Sequence, residues 1–280
     1  MDKTFTLGDK TINRLGYGAM RITGDGIWGE PADRGNAVSV LKRVVELGVN
    51  FIDTADAYGP EVSENLIHEA LYPYDGLVIA TKGGLTRQGP GIWTPDGSPE
   101  HLREALDASL KRLGVEQIEL YQFHRPDPDV PYETSIKALV ALQEQGKIKH
   151  LGVSNVNTEQ LEQAMELATI VSVQNNYSVL NRDSEAVLQM CQEHGIMFIP
   201  YFPIGGNTGG LNEQVLQSVA DKHGATVRQI GLAWLLQHSP VMVPIPGTAN
   251  VTHLEENMRA LDIELDQQDI ERLDALTSQG

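Results

Sequence analysis

Four residues of types that transfer or stabilise protons lie where runs of apolar residues end. Asp53 ends the run VNFID, Lys82 ends LVIATK, His124 ends IELYQFH, and Tyr58 follows in the loop DTADAYG. A lysine ammonium beside a phenol favours the phenolate, so this pairing predicts a tyrosine pKa lowered from its reference value near 10. A neighbouring histidine could donate to a carbonyl oxygen or orient it. Together the four residues predict an acid catalyst for carbonyl reduction.

Each of these residues also has a structural explanation when it is taken alone. Asp53 is of the type that caps helices and braces loops, and Tyr58 fits a half-buried aromatic residue with a bonded hydroxyl group. Lys82 fits a solvated charge, and His124 fits a histidine that stabilises the fold. Their combination at the ends of neighbouring strands is what favours catalysis.

Parallel strands must position these residues, because short apolar runs alternate with longer segments whose apolar residues are three and four apart. Eight alternations over roughly 250 residues predict an α/β fold, a (β/α)8 TIM barrel, because parallel strands need crossover helices. We expect one domain over residues 1–280, with the active site at the carboxyl ends of the strands. The predicted strands are residues 12–20, 49–53, 77–82, 118–124, 149–153, 170–174, 196–201 and 241–245.

Two additions to the barrel are predicted. One is an N-terminal β-hairpin of residues 5–7 and 11–13 with Gly8-Asp9 as its turn, and the other is an extra helical segment before the last strand. An open doubly wound sheet is the alternative, but no G-x-G-x-x-G motif follows the first strand. The predicted helices are residues 34–47, 63–71, 133–145, 184–194 and 253–261, with three more that begin after the N-cap residues Ser98, Asn157 and Thr226.

The charge of the chain restricts its partners. With 21 Lys and Arg against 38 Asp and Glu among 280 residues, the formal net charge is −17. Such a chain repels nucleic acid and anionic lipid, so neither is expected as a partner. No apolar run approaches the ~20 residues of a membrane span, and no signal peptide is recognisable. Because Cys191 is the single cysteine, no intramolecular disulfide forms, and we expect a cytoplasmic protein that is monomeric or weakly associating.

Longer motifs resemble those of the aldo-keto reductase superfamily. They are INRLGYGAMR, NFIDTADAYGPEVSENLIHEAL, VIATKGG, ELYQFHRPD, LVALQEQGKIKHLGVSN, VQNNYS and IPGT with LEEN, and they extend over almost the whole chain. The segments LGYGAM, EALYPY and YFPIGG are similar to bacterial members linked to pyridoxal reduction. The resemblance implies a (β/α)8 barrel that binds NADPH in an extended pose.

The same resemblance implies a catalytic tetrad, which falls on Asp53, Tyr58, Lys82 and His124. In the family, the tyrosine protonates the carbonyl oxygen as hydride arrives from the nicotinamide. The lysine and the aspartate tune the tyrosine, and the histidine helps to place the carbonyl group. All four residues are present in this sequence.

The resemblance also implies contacts with the cofactor. Ser154, Asn155 and Gln174 match positions that hold the carboxamide, and Tyr201 matches the aromatic residue on which the nicotinamide stacks. Without the resemblance, Asn155 and Gln174 fit loop-bracing side chains, and Tyr201 fits a core aromatic residue. The other implied contacts are Gly18, Met20 and Asp53 beside the cofactor, Phe202, Pro203 and Ile204 near its phosphates, and Thr248 and Asn257 at its adenine end.

The adenine end departs from the family pattern. Many members have a lysine and, some residues later, an arginine that contact the adenosine phosphate of NADPH, and here these positions hold Gly247 and His253. A bidentate arginine contact is therefore not available from these positions. The last helix N-terminus, the Thr248 hydroxyl and Asn250 could still receive a phosphate. NADPH is the favoured cofactor, and NADH is the alternative.

Three residues are candidates for contact with a substrate. Trp28 and Trp93 lie in loops that follow strands, and Trp93 could stack on a flat aromatic aldehyde or pack on a neighbouring loop. Arg125, beside His124, could pair with an anionic group of the substrate or form a surface ion pair. The glycine-rich residues 205–210 suggest a rim lined by backbone.

The sequence therefore predicts NADPH-dependent reduction of aldehydes or ketones, with Tyr58 as the proton donor and pyridoxal-like aromatic aldehydes as candidate substrates. The alternative is an NADPH-binding regulatory or adaptor subunit with slow turnover, which the superfamily also contains. The intact tetrad and the lack of an extra interaction segment disfavour it. A barrel isomerase or metal-assisted hydrolase is a third possibility. No clustered His, Asp and Glu ligand set is recognisable, so we expect no metal.

Overall fold

A β-hairpin precedes the barrel, as predicted. The computed structural model describes residues 2–203 and 213–276. In it, β1 (Thr4–Leu7) and β2 (Lys10–Asn13) pair antiparallel, with Leu7 opposite Lys10. Gly8 has a φ of +57°, and a Cβ atom there would overlap the His150 ring, so glycine is required in this turn. Leu7 and Ile12 pack with apolar residues of the barrel interior, so the hairpin covers one end of the barrel.

Seven parallel strands form one sheet, the barrel wall. They are β3 (Tyr17–Gly18), β4 (Phe51–Asp53), β5 (Val78–Gly83), β8 (Ile118–Phe123), β9 (Ile148–Ser154), β10 (Ile170–Asn176) and β11 (Met197–Tyr201). Their order in the sheet is β11-β10-β9-β8-β5-β4-β3. A short antiparallel pair, β6 (Leu85–Thr86) and β7 (Thr94–Pro95), follows β5.

Residues 241–245 close the barrel without forming a regular strand. The Val243 N–H donates to the Phe198 carbonyl (2.8 Å), and the Pro244 carbonyl accepts from the Gly16 N–H (2.9 Å). Proline has no N–H to donate, so Pro244 and Pro246 prevent a continuous ladder here. The predicted eighth strand is therefore an extended segment. The predicted first strand, residues 12–20, is likewise split between the hairpin and the two-residue β3.

The predicted helices are present and begin at the predicted caps. Ser98 caps the helix Pro99–Leu113, with Pro99 at its first position, and Asn157 and Thr226 form capping boxes. The helices Glu213–His223 and Val227–His238 precede the closing segment. The last helix, Gln267–Asp274, was not predicted. The helices are α1 (Arg34–Glu46), α2 (Val62–Leu71), α3 (Pro99–Leu113), α4 (Tyr132–Glu144), α5 (Thr158–Leu167), α6 (Glu185–His194), α7 (Glu213–His223), α8 (Val227–His238), α9 (Val251–Met258) and α10 (Gln267–Asp274).

The largest buried side chain outside the barrel interior is Trp234 of α8. Its ring stacks on Tyr177 and on His238, and its indole N–H donates to Asp274 of α10 (2.9 Å). This contact attaches the unpredicted last helix to the core. Among the described residues, no helix combines the length and the apolar character that crossing a membrane requires.

Gly152 of β9 lies at a crowded point between β8 and β10. A Cβ atom there would overlap the Ser172 hydroxyl and lie 3.0 Å from Cγ of Gln122. We expect Gly152→Ala to lower the free energy of unfolding by about 1–3 kcal/mol, because overpacked cores must shift backbone or side chains. Chemical denaturation measures this change.

The matched control is Gly35→Ala, in the first turn of α1, where the nearest atom to the new Cβ is Asp33 Oδ1 at 3.4 Å. That substitution should be neutral or should stabilise by about 0.4–1 kcal/mol, because alanine favours helix. Equal stability of the two variants would contradict the crowding argument.

Candidate active site

Lys82, at the carboxyl end of β5, is completely buried. Its ammonium group donates to Asp53 Oδ1 (2.6 Å), to the Thr54 carbonyl oxygen (2.8 Å) and to the Tyr58 hydroxyl oxygen (3.3 Å). An ammonium group has three donors, and each has an acceptor here. The positive charge is therefore held in a fixed position beside the Tyr58 hydroxyl group.

Asp53, at the end of β4, accepts hydrogen bonds on both carboxylate oxygens. Oδ1 accepts from Lys82, and Oδ2 accepts from the side-chain amides of Gln122 (3.0 Å) and Gln174 (2.9 Å). A buried ion pair needs such additional bonds to offset its loss of hydration. Gln122 was not assigned to the site from the sequence, although it lies two residues before His124 and therefore on the same face of β8.

The pKa of Tyr58 is raised, so the prediction of a lowered value is wrong. Burial of the phenol raises this pKa, the Lys82 ammonium opposes the rise, and the Asp53 carboxylate adds to it. Burial by itself lowers the pKa of Lys82, but Asp53 and Tyr58 outweigh it and the net shift is upward. Tyr58 therefore remains protonated at neutral pH, as a proton donor must, while Lys82 remains charged.

His124 follows β8, and its ring lies edge-on to Tyr58 with 5.9 Å between the centroids. Burial lowers its pKa well below 6.5, and the charges of Lys82, Arg125 and Arg87 lower it further. Its buried Nδ1 atom has no hydrogen-bond partner among residues 2–203 and 213–276. Because an unpaired buried N–H is unfavourable, the neutral tautomer with the proton on Nε2 fits best. Such a ring can donate a hydrogen bond to a carbonyl oxygen.

These residues border a cleft of about 520 Å³. Of the residues predicted for the site, Lys82 and Trp28 do not line this cleft, and Ile204 lies outside the described residues. The cleft is lined by the following residues that were predicted for the site: Gly18, Met20, Asp53, Tyr58, Trp93, His124, Arg125, Ser154, Asn155, Gln174, Tyr201, Phe202, Pro203, Gly247, Thr248, His253 and Asn257.

Asn155 connects two sides of the cleft. Its Oδ1 accepts from the Tyr201 hydroxyl (2.6 Å), and its Nδ2 donates to the His124 carbonyl (3.0 Å) and to Ser154 Oγ (3.0 Å). The backbone of Asn155 has a φ of +58°, a conformation that asparagine tolerates better than most residues. These polar side chains thus fix one another beside His124, and their contact with a carboxamide stays a prediction.

Trp93 forms a wall above the tetrad. Its ring lies edge-on to Tyr58 at 6.2 Å and to His124 at 6.5 Å. The Arg87 guanidinium lies 3.6 Å from the centre of the Trp93 ring, a close cation–π contact. The Trp28 ring is also near Arg87, at 5.6 Å, which places Trp28 beside the wall and not in the cleft.

Arg87 was missed in the sequence, although it determines how this wall is held. Its guanidinium donates to the carbonyl oxygens of Ala57 (2.8 Å), Ile92 (2.8 Å) and Gly26 (3.2 Å). It therefore joins the loop that carries Tyr58 to two other loops. The signal was the short hairpin of β6 and β7. Its register, continued by one residue pair beyond Thr86 and Thr94, brings Arg87 opposite Trp93.

Arg125 lies exposed at the cleft, and within the described ranges it makes no hydrogen bond or ion pair. Two roles were considered for Arg125, a contact with an anionic substrate group and a surface ion pair. The surface ion pair is not observed within these ranges. Arg21 and Arg228, which were not predicted for the site, line the same cleft. The visible signal for Arg21 was its position directly after Met20.

One group of potential metal ligands is present in the described part of the chain, namely Asp9, Glu119 and His150. The Lys149 ammonium lies 2.9 Å from Asp9 and 3.2 Å from Glu119. A cation of the protein itself thus already neutralises this group, which lies beside the hairpin turn and lines no part of the cleft.

The barrel, the buried Lys82–Asp53 pair and the tyrosine beside it define an oxidoreductase of a known class. Residues 14–278 match the Aldo/keto reductase family, and the chain belongs to this family. The fold class and the enzyme class expected from the sequence are thereby confirmed.

Particular relatives are similar over almost their whole length. The chain is 44% identical to pyridoxine 4-dehydrogenase of Escherichia coli over an alignment of 281 positions, which covers 98% of each protein. It is 49% identical over 271 residues to an uncharacterised oxidoreductase of Schizosaccharomyces pombe, with 97% of this chain and 89% of the relative covered. An aldo-keto reductase of Klebsiella pneumoniae, solved with NADPH, has a TM-score of 0.83 at 26% identity, with 100% of this chain and 97% of that chain covered.

Proposed function

We propose that the protein reduces aldehydes or ketones to alcohols with NADPH, and that Tyr58 gives the proton to the carbonyl oxygen. The observation that carries this proposal is the buried Lys82 ammonium, which donates to the Tyr58 hydroxyl (3.3 Å) at the edge of the cleft. The cofactor is supported by the Klebsiella pneumoniae relative, which was solved with NADPH.

The donor groups in the cleft suit NADPH. Amide and hydroxyl groups of Ser154, Asn155 and Gln174 lie beside the tetrad, where a carboxamide needs polar partners. Tyr201 offers an aromatic face, and Arg21 and Arg228 offer cations for phosphate. When bound, NADPH supplies the hydride that reduces the carbonyl carbon.

The chain's own residues supply the proton and position the substrate. His124 is neutral and carries its proton on Nε2, so it can donate a hydrogen bond that orients the carbonyl oxygen. Tyr58 then transfers its hydroxyl proton to that oxygen, and the Lys82 ammonium stabilises the phenolate that forms. Asp53 keeps Lys82 charged and in place.

We propose flat aromatic aldehydes of the pyridoxal type as the substrate class. Trp93 gives the cleft an aromatic wall over Tyr58 and His124, and Arg125 offers an anionic substituent a cation that pairs with none of the described residues. The Escherichia coli relative is named for oxidation of the corresponding type of alcohol, pyridoxine. The same tyrosine would accept a proton in that direction, because the reaction is reversible.

Trp93→Ala should raise KM for pyridoxal by about 3- to 10-fold, because a favourable aromatic contact contributes about 0.5–1.5 kcal/mol. KM for a small aliphatic aldehyde should change by less than about 2-fold, because such a substrate does not need the wall. Steady-state kinetics with both substrates measures the difference.

Trp28→Ala is the matched control, because Trp28 contacts the same Arg87 but does not line the cleft. It should leave the ratio of the two KM values unchanged. An equal loss with aromatic and aliphatic aldehydes in Trp93→Ala would contradict the proposed substrate class.

The whole proposal is tested by mixing purified protein, NADPH and a panel of aldehydes and ketones that includes pyridoxal. We expect loss of NADPH absorbance with formation of the alcohol. Tight binding of NADPH with negligible turnover of every carbonyl compound would instead support the regulatory alternative.

We also propose a cytoplasmic protein, monomeric or weakly associating, whose partner is a small carbonyl compound.

A further inference from the structure

We propose that Arg21 and Arg228 bind the adenosine phosphate that distinguishes NADPH from NADH. They would replace the lysine and arginine whose positions in this chain hold Gly247 and His253. The inference rests on the proposed function in that it takes NADPH as the ligand.

The first observation is the lack of space for a side chain at Gly247. A Cβ atom there would lie only 2.6 Å from the Gly18 carbonyl oxygen, which is too close for any residue but glycine unless the backbone shifts. The same point lies 3.7 Å from Cγ of Arg21. The side chain of Arg21 therefore lies beside the position from which a lysine at 247 would extend.

The second observation concerns the partners of the two arginines. Both are exposed and both line the cleft, and neither makes a hydrogen bond or an ion pair to any residue in the described ranges. By contrast, Arg34, Arg43 and Arg112 each pair with two carboxylates. In a chain of net charge −17, two guanidinium groups at one open cleft that form no ion pair with a carboxylate of the described residues indicate a binding site for an anion.

The third observation is the position of Arg228 within the cleft. Arg228 is in the first turn of α8, and the next residue, Gln229, donates to the Glu256 carbonyl (2.8 Å), directly before Asn257. This bond fixes the start of α8 against α9, which carries His253 and Asn257. Arg228 thus belongs to the end of the cleft at which the resemblance places the adenine.

The chemistry of a phosphate monoester suits this pair of arginines. A guanidinium group can donate two parallel hydrogen bonds to phosphate oxygens and remains charged at every pH of interest. Two such groups from different elements provide the two cations that positions 247 and 253 do not. The Thr248 hydroxyl lines the same cleft and can add a further donor.

The test compares the affinity of the full-length protein for NADPH and for NADH by isothermal titration calorimetry. We expect Arg21→Gln and Arg228→Gln each to weaken NADPH binding by about 10-fold, which is about 1.4 kcal/mol, and the double variant by about 100-fold, because each substitution removes a charged hydrogen bond to the phosphate. The affinity for NADH should change by less than about 2-fold in all three variants, because NADH lacks this phosphate.

Arg103→Gln is the matched control, because Arg103 is an exposed residue of α3 outside the cleft and the substitution removes the same charge. It should leave both affinities unchanged. Adenosine 2′,5′-bisphosphate and adenosine 5′-monophosphate serve as cofactor fragments, and only the first should bind more weakly to the arginine variants.

Equal weakening of NADPH and NADH would overturn the inference, because the arginines would then contact groups that the two cofactors share. Unchanged NADPH affinity in the double variant would overturn it as well. If wild-type protein binds NADPH and reduces aldehydes while the variants keep the preference, only this inference fails. If wild-type protein does not bind NADPH, the proposed function fails.

Discussion

Tyr58→Phe is expected to lower kcat by about 10²- to 10⁴-fold, the usual contribution of a positioned general acid. The Tyr58 hydroxyl oxygen accepts a hydrogen bond from the Lys82 ammonium group (3.3 Å), and this hydroxyl group is the proposed proton donor. The phenyl ring keeps the edge-on contacts with Trp93 and His124, so the pocket should keep its shape. Single-turnover kinetics with NADPH and pyridoxal measures the chemical step directly.

Binding should be nearly unaffected in this variant. The dissociation constant of NADPH should stay within about 2-fold of wild type, because the substitution removes one hydroxyl group that faces the reacting carbonyl. Tyr201→Phe provides the comparison, since that hydroxyl also lies at the cleft but donates to Asn155 (2.6 Å). Its effect on kcat should be at most about 10-fold. A Tyr58→Phe protein that turns over at the wild-type rate would exclude Tyr58 as the proton donor.

Lys82→Met is expected to have the second largest effect, a fall in kcat of about 10²-fold or more. The positive charge opposes the rise that burial causes in the Tyr58 pKa, so its removal raises this pKa further and makes the phenolate harder to form. The wild-type rate should be constant through neutral pH and fall only above the ordinary tyrosine value of about 10. No loss is expected near pH 6.5, because the pKa of His124 lies well below this value.

The same substitution should also destabilise the fold by about 3–5 kcal/mol, because it leaves the Asp53 carboxylate buried without its cation. The double variant Asp53→Asn, Lys82→Met separates the two effects. Neither charge remains, so stability should recover in part, as a double-mutant cycle of denaturation experiments measures. Activity should not recover. A double variant with restored turnover would show that Lys82 acts through the fold alone.

The sequence could predict that the four proposed catalytic residues meet, because each except Tyr58 lies at the carboxyl end of a buried strand or directly after it, and parallel strands of a barrel end at one mouth. The direction of the shift in the Tyr58 pKa could not be predicted from the sequence. It depends on the burial of the phenol and on how far Asp53 offsets the charge of Lys82. These are properties of the packed site. The spacing of residues shows which groups meet, but not how much water they lose.

Contacts between distant loops explain the residues that were missed. Arg87 bonds to carbonyls in three loops, and Arg21 and Arg228 are far apart in the chain but line one cleft. Such residues have no local pattern that marks them. The closing segment was misread for a local reason, since its apolar run is typical of a strand while its prolines interrupt the ladder.

The burial of Trp234 has a spectroscopic consequence. Its indole is stacked on Tyr177 and His238 and bonded to Asp274, whereas Trp93 borders the cleft under Arg87. Emission from Trp93 should therefore respond to an occupied cleft, and emission from Trp234 should shift to longer wavelength only when α8 and α10 separate. With Trp28 replaced by phenylalanine, one fluorescence record should thus distinguish a ligand that binds from a protein that unfolds.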